Sequence, residues 1–236
     1  MSSSQPLYLQ RRPTIALAGT LLLALLQPLA AAADDDPRLV YAAGAPPWLR
    51  AVGRLRVPGV KFEQGRRSHY IEDCSATLVS RPGAERAATI VTAWHCLEYY
   101  ADLSQRISFT LLHGSDEPIV SEAIRLADGG GMHADWAILR LLQPVPKARV
   151  AALAVHPHRA DPVLPVSMAG YSRDAGKGGS GQRLTWDPRC NIIDQGKRSS
   201  DTDCTAFKGA SGGAVVQSWG TEQARLSGVI SQGDSA

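Results

Sequence analysis

Ala88-Thr89-Ile90-Val91-Thr92-Ala93-Trp94, followed at once by His95-Cys96, decides how the chain is read. A run dense in β-branched side chains favours a buried strand over a helix. The strand ends in an imidazole, with a cysteine abutting it. A histidine at a strand end is more often structural than reactive, so its meaning depends on what the rest of the chain supplies.

Outward from this strand, short strand-like segments recur with turn residues between them. Ala51 to Val57 is expected as a strand turned by Pro58-Gly59, and His69 to Ser80 as a longer one ended by Arg81-Pro82-Gly83. Ile107 to Leu112, Ile119 to Leu126 and Trp136 to Leu142 continue the series. Gln143 to Ala160, with Pro144, Pro146 and Pro157, reads as a linker. Strands resume at Val163 to Tyr171, Gln182 to Trp186, Ala214 to Ser218 and Leu226 to Ser231. Ala175 to Gly181 is glycine-rich but lacks the lysine-serine ending of a phosphate loop, so a hairpin tip is expected. A helical turn is expected only around Leu97 to Leu103. With 22 glycines, 15 prolines and 6% aromatics, the pattern predicts an all-β chain in two lobes, 51–142 and 161–236, joined by the linker 143–160.

Residues 1–33 read as an export signal. Arg11 and Arg12 precede the uncharged apolar run Ile15 to Leu26, and Ala31-Ala32-Ala33 offers a small-x-small cleavage site before an N-terminal extension, 34–50. Twelve residues span roughly 18 Å as a helix, short of a hydrocarbon core of about 30 Å. A secreted or periplasmic chain with no membrane contact after cleavage is therefore expected. Without Arg11 and Arg12 the 25 basic side chains become 23, against 22 acidic ones, which gives no electrostatic reason for a nucleic-acid partner. In an exported chain Cys74, Cys96, Cys190 and Cys204 read as two disulfides with three pairings open. They are too widely spaced for a zinc site, and His156-Pro157-His158 has no third ligand nearby, so neither metal nor cofactor is expected.

Two further stretches give His95 its meaning. Asp135-Trp136-Ala137-Ile138-Leu139 opens an apolar strand with a carboxylate, and Gly209-Ala210-Ser211-Gly212-Gly213 sets a serine in a glycine turn. A serine hydroxyl needs a base within reach, and the base needs a group to fix its tautomer. The glycines let the backbone approach a substrate carbonyl and leave N–H groups free for a developing oxyanion. The order His, Asp, Ser argues against an esterase of the α/β-hydrolase type, in which the histidine comes last.

At these residues, together with Cys74-Ser75-Ala76-Thr77-Leu78, the sequence resembles the chymotrypsin-like (trypsin-type) serine peptidases, most nearly the secreted bacterial branch that includes the glutamyl endopeptidases. The resemblance covers roughly Ala51 to Gly233. It implies two antiparallel β-barrels with the active site between them and an endopeptidase acting on polypeptides through an acyl-enzyme. It assigns His95 as general base, Asp135 as its orienting carboxylate, Ser211 as nucleophile, and the N–H groups of Gly209 and Ser211 as the oxyanion hole. By the same likeness Thr205, Ala206 and Lys208 line the specificity pocket, and Ser231 to Gly233 form the edge that pairs with substrate. Disulfides Cys74–Cys96 and Cys190–Cys204 are likewise implied. Ala210 stands where trypsin has the aspartate that pairs with a new N-terminal amine. Thr205 stands near trypsin's pocket aspartate, and Ile230 where glutamyl endopeptidases have a pocket histidine, so neither basic nor glutamate preference is implied. Only Gln232 to Ala236 follow the last strand, where the family has another, so a C-terminus that is short or incomplete is expected. The competing function is a binding module that keeps the cleft without turnover.

Overall fold

The computed structural model describes residues 35–218 and 224–233. The expected export signal lies outside the described residues. In chain order the strands of the first lobe are β2 (Val52–Glu63), β3 (Arg66–Val79), β4 (Arg86–Thr92), β5 (Ile107–Leu111), β6 (Ile119–Asp128) and β7 (Ala137–Pro146). They are preceded by the short β1 (Leu39–Val40) and followed by β8 (Ala154–Val155), β9 (Val166–Gly170), β10 (Thr185–Cys190), β11 (Ile192–Gln195), β12 (Ser200–Thr202), β13 (Ala214–Gln217) and β14 (Arg225–Val229). The molecule is built mostly of β-strands, as the turn-rich composition predicts.

The first lobe closes on itself as a barrel in the order β2-β3-β4-β7-β6-β5. Inward-facing Leu55, Leu78, Ile90, Ile107, Phe109 and Leu139 are fully buried, the alternate residues of strands whose other face meets solvent. The second lobe is a six-stranded sheet in the order β1-β10-β9-β13-β14-β8, antiparallel except where β8 joins β14, with β11 and β12 forming a separate hairpin.

Pro58-Gly59 does not turn the chain. The β2–β3 hairpin continues to Glu63↔Arg66, and its turn is Gln64-Gly65, both with positive φ (51° and 75°) as a two-residue hairpin turn requires. Proline is tolerated because of where its nitrogen faces. The Val60 N–H leaves the β2–β3 ladder to bond the Tyr99 carbonyl, and the two-residue period puts the Pro58 nitrogen on that same outer edge. Gly59 is required by Tyr70 opposite, whose ring lies 2.6 Å from where a Cβ would sit. Likewise β7 runs on to Pro146, into the stretch expected as linker, and the extension before residue 50 contributes β1 to the second sheet. Two 3-10 turns occur among the described residues, one at Pro47–Ala51, where none is expected, and one at Trp94–Leu97, shorter and earlier than the turn expected around Leu97 to Leu103.

Candidate active site

His95 sits in that 3-10 turn at the end of β4, and its neighbour Cys96 is disulfide-bonded to Cys74 on β3. Asp135 immediately precedes β7. Its carboxylate accepts the His95 backbone N–H on Oδ1 at 2.9 Å and the ring Nδ1 on Oδ2 at 2.8 Å. Ser231 Oγ donates to the same Oδ2 at 2.5 Å. Burial acts against the charge of Asp135, but these hydrogen bonds outweigh it and hold its pKa below the ordinary 3.8. An ionised partner at Nδ1 selects the tautomer with hydrogen there and leaves Nε2 free to accept a proton. Asp135 is nearly enclosed (4% exposed) while His95 keeps an open side (24%), so the ring can receive a substrate-side proton.

Ser211 follows a tight turn in which the Ala210 N–H bonds the Phe207 carbonyl at 3.0 Å. The Lys208 carbonyl accepts the Arg173 N–H at 2.6 Å. No peptide among the described residues is cis, so this contact aims the Gly209 N–H opposite to the Lys208 carbonyl. Among the described residues neither the Gly209 nor the Ser211 N–H donates a hydrogen bond within the protein. Gly209 (φ 96°) and Gly212 (φ 78°) occupy backbone that favours glycine.

Ser75 joins the two stretches. Its N–H bonds the Ser211 carbonyl at 2.8 Å, and its hydroxyl donates to the Gly209 carbonyl at 2.9 Å while accepting the Tyr171 N–H at 2.8 Å. Cys96 Sγ lies 3.8 Å from the Ser211 carbonyl, so the mounts of the histidine and the serine touch. Among the described residues no hydrogen bond joins Ser211 Oγ to the His95 ring. Such bonds often lengthen without substrate and tighten with it.

Beside Ser211 opens a cavity of about 320 Å³ lined by Phe207, Lys208, Ser211, Ile230, Gln232 and Gly233. Residues 74–221 match the family model of the trypsin-like peptidase domain, which is more than half of the chain. The chain belongs to the trypsin-like peptidases. No curated protein matches it in sequence. Its fold is similar to that of a thermostable serine protease, AL20, from an extremophilic microorganism, at 20% identity over 80% of this chain and 88% of that one, with a TM-score of 0.58. It is also similar to the protease Anisep from Arthrobacter nicotinovorans, at 20% identity over 84% and 88% of the two chains, with a TM-score of 0.59.

In this peptidase the residues singled out in sequence fall unevenly about the cavity. Lys208, Ser211 and Gly233 line it. Thr205 and Ala206 do not; they lie behind it in a tight space with Arg38, Met168, Ala210 and Ile230, and the Thr205 N–H bonds Asp187 Oδ2 at 3.0 Å. Ser231 has its side chain on Asp135. The disulfides are Cys74–Cys96 and Cys190–Cys204, with no free cysteine. Cys74, His95 and Cys96 cluster closely enough to suggest a metal site, but both sulfurs are committed to the disulfide. Ser75 and Arg173 carry no local signal as site residues, since Ser75 acts through contacts 96 and 134 residues away and Arg173 through its backbone N–H on the Lys208 carbonyl. No helix among the described residues is long and apolar enough to cross a membrane.

Proposed function

We propose that this peptidase is an exported serine endopeptidase that cleaves polypeptides through an acyl-enzyme on Ser211. The observation that carries the reading is the pair of His95 hydrogen bonds to Asp135, which occupies Nδ1 and leaves Nε2 to act as the acceptor. His95 takes the Ser211 proton as Oγ attacks the scissile carbonyl, and the tetrahedral oxyanion accepts from the Gly209 and Ser211 N–H groups. The imidazolium returns the proton to the leaving amine as the C–N bond breaks. Water, deprotonated by His95, then releases the acyl group and regenerates the Ser211 hydroxyl. The cavity wall of Phe207, Ile230 and Gln232 is uncharged, Lys208 is the cationic side chain in its lining, and Ile230 stands where the glutamyl endopeptidases have a pocket histidine, so no side-chain preference is assigned to it. Two disulfides support an oxidising destination.

The test is labelling by a fluorophosphonate together with cleavage of an internally quenched peptide blocked at both ends. Wild type is expected to be labelled and to cleave. Ser211→Ala and His95→Ala, folded by circular dichroism, should each lose activity on the order of a millionfold. A folded Ser211→Ala variant that still cleaves would refute the mechanism, and an unlabelled, inactive wild type would point to the binding-module alternative. N-terminal sequencing of exported protein should find Asp34 first; an intact Met1 on membrane-bound material overturns the export reading.

A further inference from the structure

Arg38 is 2% exposed, an unusual place for a guanidinium, and it lies outside the segment that carries the family resemblance. Its Nε bonds Asp36 Oδ1 at 2.9 Å, its Nη2 bonds Asp36 Oδ2 at 2.6 Å, and its Nη1 bonds Asp174 Oδ1 at 2.8 Å. Burial opposes the charge, but these bonds prevail and hold the pKa above the ordinary arginine value, so the group stays cationic. Its Cζ lies 4.2 Å from the centre of the Phe207 ring. The segment that carries it is fixed by β1, which pairs with β10 through Leu39↔Trp186 and Val40↔Thr185, and by the Tyr41 N–H on the Leu184 carbonyl at 2.9 Å.

What this cation touches matters because of what lies between its contacts. Asp174 follows Arg173, whose N–H holds the Lys208 carbonyl. Phe207 precedes Lys208 and begins the turn that ends at Ala210. The peptide between Lys208 and Gly209, whose N–H is assigned to the oxyanion, is thus gripped on its carbonyl side through Asp174 and on its chain side through the Phe207 ring. A trans peptide can rotate as a rigid plane, and about half a turn would swing the N–H inward and the carbonyl toward substrate.

We infer that Arg38 is a positioning residue for the oxyanion hole: ion-paired to Asp174 and packed under Phe207, it locks the Lys208–Gly209 peptide in its productive orientation. The donor geometry is then set by a side chain from the N-terminal extension. Ala210, one residue past Gly209, offers no charge for that purpose. The inference rests on the roles proposed above for Gly209 and Ser211.

The experiment compares wild type with Arg38→Gln and Asp174→Asn. It measures kcat and KM on the blocked peptide, inhibition by a peptide boronate that forms a tetrahedral adduct, and inhibition by the product peptide. Both variants should lose kcat by about tenfold to hundredfold, less than the loss on deleting an oxyanion donor outright. KM should stay within about threefold, because ground-state binding is left in place. The boronate should weaken with kcat and the product peptide should not. If Arg38→Gln does not fold, Asp174→Asn, which keeps the cation under Phe207 but removes one anchor, carries the same test. A folded variant with kcat within about twofold of wild type, or one in which both inhibitors weaken equally, overturns the role of Arg38. A wild type that neither cleaves the peptide nor takes the fluorophosphonate overturns instead the reading beneath it.

Discussion

Replacing Ser75 by alanine should cost this peptidase both stability and turnover. The residue is fully buried, and its hydroxyl is the acceptor for the Tyr171 N–H and the donor to the Gly209 carbonyl. Alanine leaves both backbone groups without a partner and without room for water. An orphaned buried group costs about 1–3 kcal/mol, so the pair costs roughly 2–6, with about 3 kcal/mol expected once the loops relax. For a chain of this size each kcal/mol lowers Tm by about 2–4 °C, which gives a fall of roughly 6–12 °C. Relaxation of the Gly209 carbonyl should also lower kcat by about tenfold, a fraction of what a lost oxyanion donor costs. Thermal unfolding followed by circular dichroism gives the first number and hydrolysis of the blocked peptide the second. Ser121→Ala is the control. Ser121 is also buried, and its hydroxyl bonds Gln143 within the first barrel, so its loss should lower Tm and leave kcat unchanged. A Ser75→Ala protein whose Tm falls by less than about 2 °C refutes the energetic argument. One whose kcat matches that of Ser121→Ala refutes the link to the site.

Asp135→Asn should reduce kcat about ten-thousandfold, the scale seen when the orienting carboxylate of such triads is exchanged. Because the fold holds Asp135 below its ordinary pKa of 3.8, it adds stability above about pH 4 that is lost as pH falls through the lower folded value. Acid titration of unfolding should therefore be less steep for Asp135→Asn than for wild type, and equal slopes would count against the assignment. Gly212→Ala should unfold more readily by roughly 1–2 kcal/mol from its positive φ alone. Its Cβ would also collide with Thr92 Oγ1 and the Ser75 carbonyl, so the variant should be inactive as well; full activity at unchanged Tm would show that the serine turn is not held as described.

The parts of the candidate site that sequence makes legible are those written locally. His95, Asp135 and Ser211 each sit in a short stretch whose composition matches its mount: a β-branched strand end, a strand start and a glycine turn. The misreadings have a common cause. Pro58-Gly59 has the composition of a turn, yet pairing with Ile71 and Tyr70 on β3 makes a strand of it, and the Val60 N–H on the Tyr99 carbonyl holds its outer edge. The stretch containing Arg38 reads as a loose acidic start because its partner Asp174 is 136 residues away, and no local pattern announces a buried cation. Ser231 is identifiable as substrate edge by resemblance, but the second task of its hydroxyl depends on Asp135 being brought beneath it.

The ties that assemble the site are long in sequence. Ser231 reaches back 96 residues to Asp135, Ser75 forward 134 to Gly209, and Arg38 forward 136 to Asp174. Contacts of such separation form late, after loop closure has been overcome. During synthesis His95 and Asp135 emerge well before Ser211 and before Ser231, the hydrogen-bond partner of Asp135. On the proposed mechanism a ribosome-bound fragment ending before Gly209 lacks its nucleophile and is no hazard to its neighbours. Under the proposed mechanism hydrolysis waits for the serine turn to be made and docked, a safeguard that resides in the order of translation.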